Sequence, residues 1–222
     1  MKILWFSLSP CGSMRRNNTT KFTQTWMVTL EDELKKNTEI KLSVAYFSNT
    51  DEEPFLYDNV MYYPMSVASH SYNDKLRNIW GRTDSQNNFK LKLMKKVLEL
   101  CKPDLIHIHG TESCFGLISP YVGNIPLVYS LQGVMSSISE KYFAGYEKIE
   151  ASNTDTFRDY VFAKTAKKKY TKFLKSSELE RDFLKNANYV IGRTDLDRSI
   201  SMLLNPKRKY YVVNEIMRKE FM

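Results

Sequence analysis

"KPDLIHIHGTE" (102–112) carries a short apolar run into His107, Ile108, His109 and a glycine. Pro103 ends the helical pattern before it, because proline lacks the N–H that a helix interior uses. From Asp104 the run reads as a strand, and alternate strand residues share a face, so His107 and His109 point the same way. His107 lies within the strand and reads as a core histidine with a hydrogen-bond partner, as buried polar groups are normally paired. His109 ends the strand beside Gly110 and is expected to face a crevice and hydrogen-bond a substrate. With Gly110, Thr111 and Glu112 it marks the edge where a sugar would lie. A metal held by the histidine pair would need a further ligand, and no acid or cysteine stands at ligand spacing.

The surrounding chain repeats the same alternation. Apolar strands read at 2–8, 40–47, 59–65, 104–109, 126–133, 188–194 and 209–215. Helical patterns separate them. Residues 20–37 place Phe22, Trp26, Leu30 and Leu34 on one stripe, and 88–104 place Phe89, Leu93, Val97 and Leu100 on another. A shorter helical stretch lies near "ESCFGLIS", and 195–205 form the last helix. Residues 66–84 read as a long loop. Residues 134–175 are a tyrosine- and lysine-rich helical insertion, followed by a helix at 176–187 opened by a Ser177/Glu180 capping box, so the insertion as a whole spans about 134–187. The fold class is α/β: a Rossmann-like, mostly parallel sheet with helices on both faces, in one domain over 1–215.

Ligands of open α/β sheets bind beyond the carboxyl ends of the strands. Those positions hold "SPCGSMRRNN" (9–18), "GTE" (110–112), "SLQG" (130–133), "GRTD" (192–195) and "NE" (214–215). Neither G-x-G-x-x-G nor G-x-x-x-x-G-K-[ST] occurs, which argues against a dinucleotide dehydrogenase or a P-loop enzyme. Asp195 and Asp197 imitate a D-x-D metal motif, but Thr194 and Asp197 have capping-box spacing, and the cap is the preferred reading. Glu31 and Glu39 have seven residues between them by coincidence.

Composition narrows the partners. The chain has 222 residues, 42% hydrophobic and 26% charged, which is globular. "MKILWFSLSP" is too short an apolar run for a signal peptide, and no stretch approaches the roughly 18 apolar residues of a membrane span. Cys11, Cys101 and Cys114 form no C-x-x-C pair, so a reducing cytoplasmic compartment is expected. The net charge of +8 is concentrated in "AKTAKKKYTKFLK" (163–175), six lysines without an acid. Such a run is either a solvated helix face or a surface for anionic lipid or an anionic acceptor, through Lys167, Lys168 and Lys169. No nucleic-acid motif accompanies it, so no nucleic-acid partner is expected.

The order of "MKILWFS", a glycine-containing loop, "KPDLIHIHGTE", "IPLVYSLQG" and "ANYVIGRTDLDR" resembles the N-terminal domain of family 4 (group 1) glycosyltransferases. The similarity runs from Met1 to about Glu215 and is nearest to bacterial members that build surface polysaccharides. It implies one lobe of a two-lobed GT-B fold, a nucleotide-diphosphate sugar as donor, a glycan or lipid-linked acceptor, retention of configuration, and no metal or other cofactor. It assigns His109 to contact with the donor sugar. Gly12 and Ser13 correspond to a Gly-Gly turn near the donor phosphates, written here as Cys-Gly-Ser. Gln132, Gly133, Arg193 and Thr194 take strand-end positions that line the cleft. Residues 216–222 would begin the linker to a second, donor-binding lobe with the phosphate-binding basic residues and an E-x7-E pair. The lobe alone is then expected to bind weakly and catalyse nothing. Its place would be the cytoplasm, at the inner membrane face. The alternative is a self-contained α/β module that binds an anionic sugar or nucleotide without chemistry.

Overall fold

The computed structural model describes residues 1–17, 26–68, 83–145, 155–162 and 165–216. Strand β1 (Lys2–Phe6) is apolar throughout after Lys2 and buried, as a strand covered on both faces must be. It pairs in parallel with β2 (Lys41–Ser48) on one side and β5 (Leu105–His109) on the other. With β3 (Phe55–Tyr57), β4 (Val60–Ser66), β6 (Leu127–Ser130), β7 (Tyr189–Gly192) and β8 (Lys209–Val212) they form one eight-stranded sheet of order β3-β4-β2-β1-β5-β6-β7-β8. Every pairing is parallel except β3 with β4. The winding reverses between β1 and β5, the position at which an open α/β sheet parts its loops into a crevice.

The antiparallel β3 was not legible from hydrophobic pattern, because it is three residues long. Asp58 and Asn59, at φ 48° and 62°, turn it into β4 through the left-handed pair that a two-residue hairpin requires.

Among the described residues the helices are α1 (Trp26–Leu34), α2 (Thr83–Cys101), α3 (Met135–Glu140), α4 (Phe157–Val161), α5 (Ala166–Lys185) and α6 (Asp195–Leu204), with 3-10 turns at Cys11–Asn17 and Cys114–Tyr121. Two apolar clusters occupy the two faces of the sheet. One joins Leu4, Phe6, Ile106, Ile108 and Tyr129 to Met94 and Val97 of α2 and to Phe183 and Leu184 of α5. The other joins Ile3, Trp5, Val44 and Tyr62 to Met27 of α1.

Three helical expectations need correction. On α1 Met27, Val28 and Glu31 are buried, and Trp26, Leu30 and Leu34 of the expected stripe are half-buried and pack against the cluster that holds Met27; Phe22 and the expected helix start lie outside the described residues. On α2, which already begins at Thr83, the expected Phe89 and Leu100 are exposed, while the expected Val97 is buried with Met94 and Cys101 and the expected Leu93 packs against the core. The lysine run and the 176–187 segment form one helix, α5, whose cap is Thr165 accepting the Lys168 N–H. Ser177 and Glu180 are therefore mid-helix and form no capping box. Parts of the expected 66–84 loop and of the insertion, with Lys164 and residues 217–222, lie outside the described residues. Among the described residues no helix is long and apolar enough to cross a membrane.

Candidate functional site

The loop after β1 is held by a buried carboxylate. Glu31 of α1 is fully buried, and its Oε2 accepts the Gly12 N–H at 3.0 Å while Oε1 accepts the Tyr62 hydroxyl at 2.8 Å. Burial raises the Glu31 pKa; the two hydrogen bonds and Lys35 oppose the rise. Beside it Arg15 makes a two-point ion pair with Asp32, at 2.9 and 3.0 Å, which ties the 3-10 turn to α1. Burial pushes the Asp32 carboxyl up, but Arg15 and Lys35 overcome it and hold the pKa well below the usual range. The Gly12 amide is thus engaged by protein, and Ser13, also buried, gives its hydroxyl to the Pro10 carbonyl at 2.7 Å. Cys11, just before Gly12, adopts φ 50°. A non-glycine residue in that left-handed region costs on the order of 1 kcal/mol.

At the end of β5 the histidines separate in role. His107 Nε2 lies 2.6 Å from Ser130 Oγ on β6, the partner expected of a strand histidine, and its pKa is lowered to about 4 by burial. His109 does not stand open at the strand edge. It is 2% exposed, on the face covered by α1, with Trp5 edge-on at 4.5 Å, Trp26 tilted at 5.8 Å and the His107 ring at 3.9 Å. Burial first, and then the His107 neighbour, lower its pKa well below the usual value, so the ring is neutral. Among the described residues neither His109 ring nitrogen has a hydrogen-bond partner, nor has the adjacent Trp5 Nε1. Unpartnered buried polar groups are rare enough to demand a reason.

The remaining expected residues gather around two ties. Gly110 takes φ 86°, and a Cβ there would overlap the Glu112 carboxylate, so the strand turns sharply into Thr111. Thr111 gives its hydroxyl to Glu180 Oε2 at 2.5 Å, and the Ser136 N–H reaches Glu180 Oε1 at 3.4 Å. Glu180, fully buried on α5, thereby locks the loop after β5 to the start of α3; burial raises its pKa, against these hydrogen bonds. Further along the edge, Arg193 donates to the Gln132 carbonyl at 3.0 Å and pairs with Glu215 at 2.5 Å, which joins the loops after β6, β7 and β8. Gln132 is exposed and Gly133 half-buried beside this tie. A hollow of about 410 Å³ opens next to Ser136, lined by Ser139, Ser177, Arg181 and Leu203. Hollows of about 320 and 580 Å³ lie at the amino ends of the strands, away from these loops.

The Thr194/Asp197 capping box forms as its spacing predicts: Thr194 Oγ1 accepts the Asp197 N–H, and Asp197 Oδ2 accepts the N–H groups of Thr194 and Arg193. Asp197 is thereby committed to the backbone. Thr194→Ala is expected to cost about 1 kcal/mol of stability in urea unfolding. Among the described residues no group of three or more histidines, cysteines or acids is placed to hold a metal ion.

Sequence reading gave Glu31, Tyr62, Glu180, Trp5 and Trp26 no part in the site. Only for the glutamates was there a signal: a carboxylate on the inward side of an amphipathic helix, where a charge is rarely left without partners.

No family model and no curated protein matches the chain in sequence. Among solved structures it is similar to sucrose-phosphate synthase from Thermosynechococcus elongatus, with a TM-score of 0.58 at 9% identity over 96% of this chain and 47% of that one. A second structure under that name aligns with a TM-score of 0.49 at 9% identity, over 96% of this chain and 87% of that one. The chain thus spans about half of the first synthase chain. The likeness is one of fold: a Rossmann-like lobe as in a GT-B fold.

Proposed function

We propose that this lobe is the acceptor-side half of a retaining glycosyltransferase. It moves a sugar from a nucleotide-sugar donor to a glycan or lipid-linked acceptor during surface-polysaccharide synthesis, without a metal ion. The observation that carries the reading is His109. A neutral imidazole whose two nitrogens have no partner among the described residues lies at the end of the central strand, next to the point where the sheet's winding reverses. A neutral ring donates through one nitrogen and accepts through the other, which suits two neighbouring sugar hydroxyls. Trp26 packs against the ring with centroids 5.8 Å apart. The loops pinned by Glu31 and Glu180 form the frame around it, and rigid placement of binding groups is where such sites gain their rate. Gly12, Ser13, Gly110, Thr111, Glu112, Gln132, Gly133, Arg193 and Thr194 act here as positioning residues at the cleft edge. The leaving diphosphate would be held by a second lobe. The exposed Lys167, Lys168 and Lys169 rest on the anionic inner face of the membrane.

In the two-lobed protein, His109→Ala and the better-packed His109→Asn are both expected to lower sugar transfer about 100-fold. Thermal melting of each variant separates this loss from unfolding. Transfer at the wild-type rate in folded His109→Asn would remove His109 from the reaction.

A further inference from the structure

The insertion places three aromatic side chains at its surface. Phe157 is 85% exposed, Tyr160 60% and Phe162 46%. Phe157 and Tyr160 are three apart on α4, so they project from one side of it. The helix is anchored. Thr156 and Asp159 form a capping box at its start, and the Asp155 carboxylate accepts the Ala166 N–H at the head of α5 at 2.8 Å. This contact ties the residues before α4 to the first turn of the lysine helix, where Lys167, Lys168, Lys169 and Lys172 are exposed. Tyr142, Phe143, Tyr170 and Phe173 pack with ring centroids about 5 Å apart and tie the chain after α3 to α5.

The charges are arranged with the same sense. Residues 155–175 contain two acids, Asp155 and Asp159, and both are turned onto helix N-termini. Thr156, through its hydroxyl and its N–H, holds the Asp159 carboxyl below its ordinary pKa, with Lys169 and Arg158 adding to the effect. The lysines face outward.

We infer that Phe157, Tyr160 and Phe162 are a membrane-interface anchor that enters the headgroup layer of an anionic bilayer while the α5 lysines neutralise the lipid phosphates. Aromatic rings favour the level of the headgroups, and basic residues beside them add attraction to anionic lipid. A soluble polyanion would account for the lysines but not for three exposed rings. The inference rests on the membrane reading of the lysine helix, not on sugar transfer.

The test uses the full chain with vesicles of phosphatidylcholine alone or mixed with phosphatidylglycerol. Phe157→Trp, read as a difference from the wild-type emission, is expected to shift to the blue with mixed vesicles and to be quenched by acyl-brominated lipid. Joint replacement of Phe157, Tyr160 and Phe162 by alanine should weaken binding to mixed vesicles at least tenfold, with a loss that persists at high salt. Lys167→Glu, Lys168→Glu and Lys169→Glu together should abolish the preference for mixed vesicles. If that variant binds like the wild type, the membrane reading itself falls. If vesicle binding depends on the lysines but Phe157→Trp emission stays unchanged, the anchor is refuted and the membrane reading stands. Binding to soluble polyphosphate but not to vesicles would overturn both.

Discussion

Replacing Gly12 by alanine is expected to destabilise the fold by about 3 kcal/mol, the upper range for overpacking a filled site. The backbone at Gly12 does not need positive φ, so the cost is steric. A Cβ at this position would overlap Glu31 Oε1 and stand 3.0 Å from the Tyr62 hydroxyl. The carboxylate has nowhere to go, since Glu31 is fully buried and its oxygens accept from Gly12 and Tyr62. Displacing it orphans both donors, and each buried unsatisfied group costs about 1–3 kcal/mol. Glu31→Ala alone is expected to cost a similar amount for the same reason. In the Glu31→Ala background the obstructing atoms are gone, so Gly12→Ala should add little. The double-mutant cycle in urea is therefore expected to give a coupling of about 2 kcal/mol. An equal cost of Gly12→Ala in both backgrounds would show that the glutamate does not set the shape of this loop.

Acidification should unfold the protein through its buried histidines. Burial lowers the His107 pKa from 6.5 to about 4, and burial together with His107 lowers that of His109 well below 6.5. The folded state keeps both rings neutral while the unfolded state takes up protons near pH 6.5. Their contribution is present above that pH and is lost as pH falls through 6.5 towards 4. At about 1.4 kcal/mol for each pKa step, the His107 shift alone is worth on the order of 3 kcal/mol. Glu31 and Glu180 work in the opposite sense. Their raised pKa values make the folded state hold protons above the ordinary carboxyl range, so their effect favours folding as pH falls. The two effects overlap, and only a comparison of variants separates them. His107→Gln retains a donor for Ser130 and does not titrate, so its stability should decline less between pH 7 and pH 5 than that of the wild type. Guanidinium unfolding at the two pH values measures this directly. Identical declines would mean that His107 is not held neutral by the fold.

The parallel sheet was legible because its strands are buried on both faces and therefore read as apolar runs, with helices between them. "KILWF", "LIHIH" and "YVIG" lie on the observed β1, β5 and β7. The Thr194/Asp197 cap was legible because both partners are three residues apart. Helix faces were less so. On α2 the apolar residues Phe89 and Leu100 stay in solvent, because the packed side of the helix is chosen by what the sheet presents to it.

By itself, then, the sequence determined the alternation of elements, the class of the sheet, the strand-end loops and the local cap, all of which follow from side-chain periodicity and near-neighbour spacing. Only the tertiary structure decided the partners of the buried polar atoms. Gly12 meets Glu31 across 19 residues, Tyr62 meets Glu31 across 31, and Thr111 meets Glu180 across 69. It also decided that His109 lies beneath Trp26 instead of open to the crevice. Periodicity reports which side of an element is apolar. Which oxygen satisfies which donor depends on how separate elements close over one another, and no local pattern encodes that.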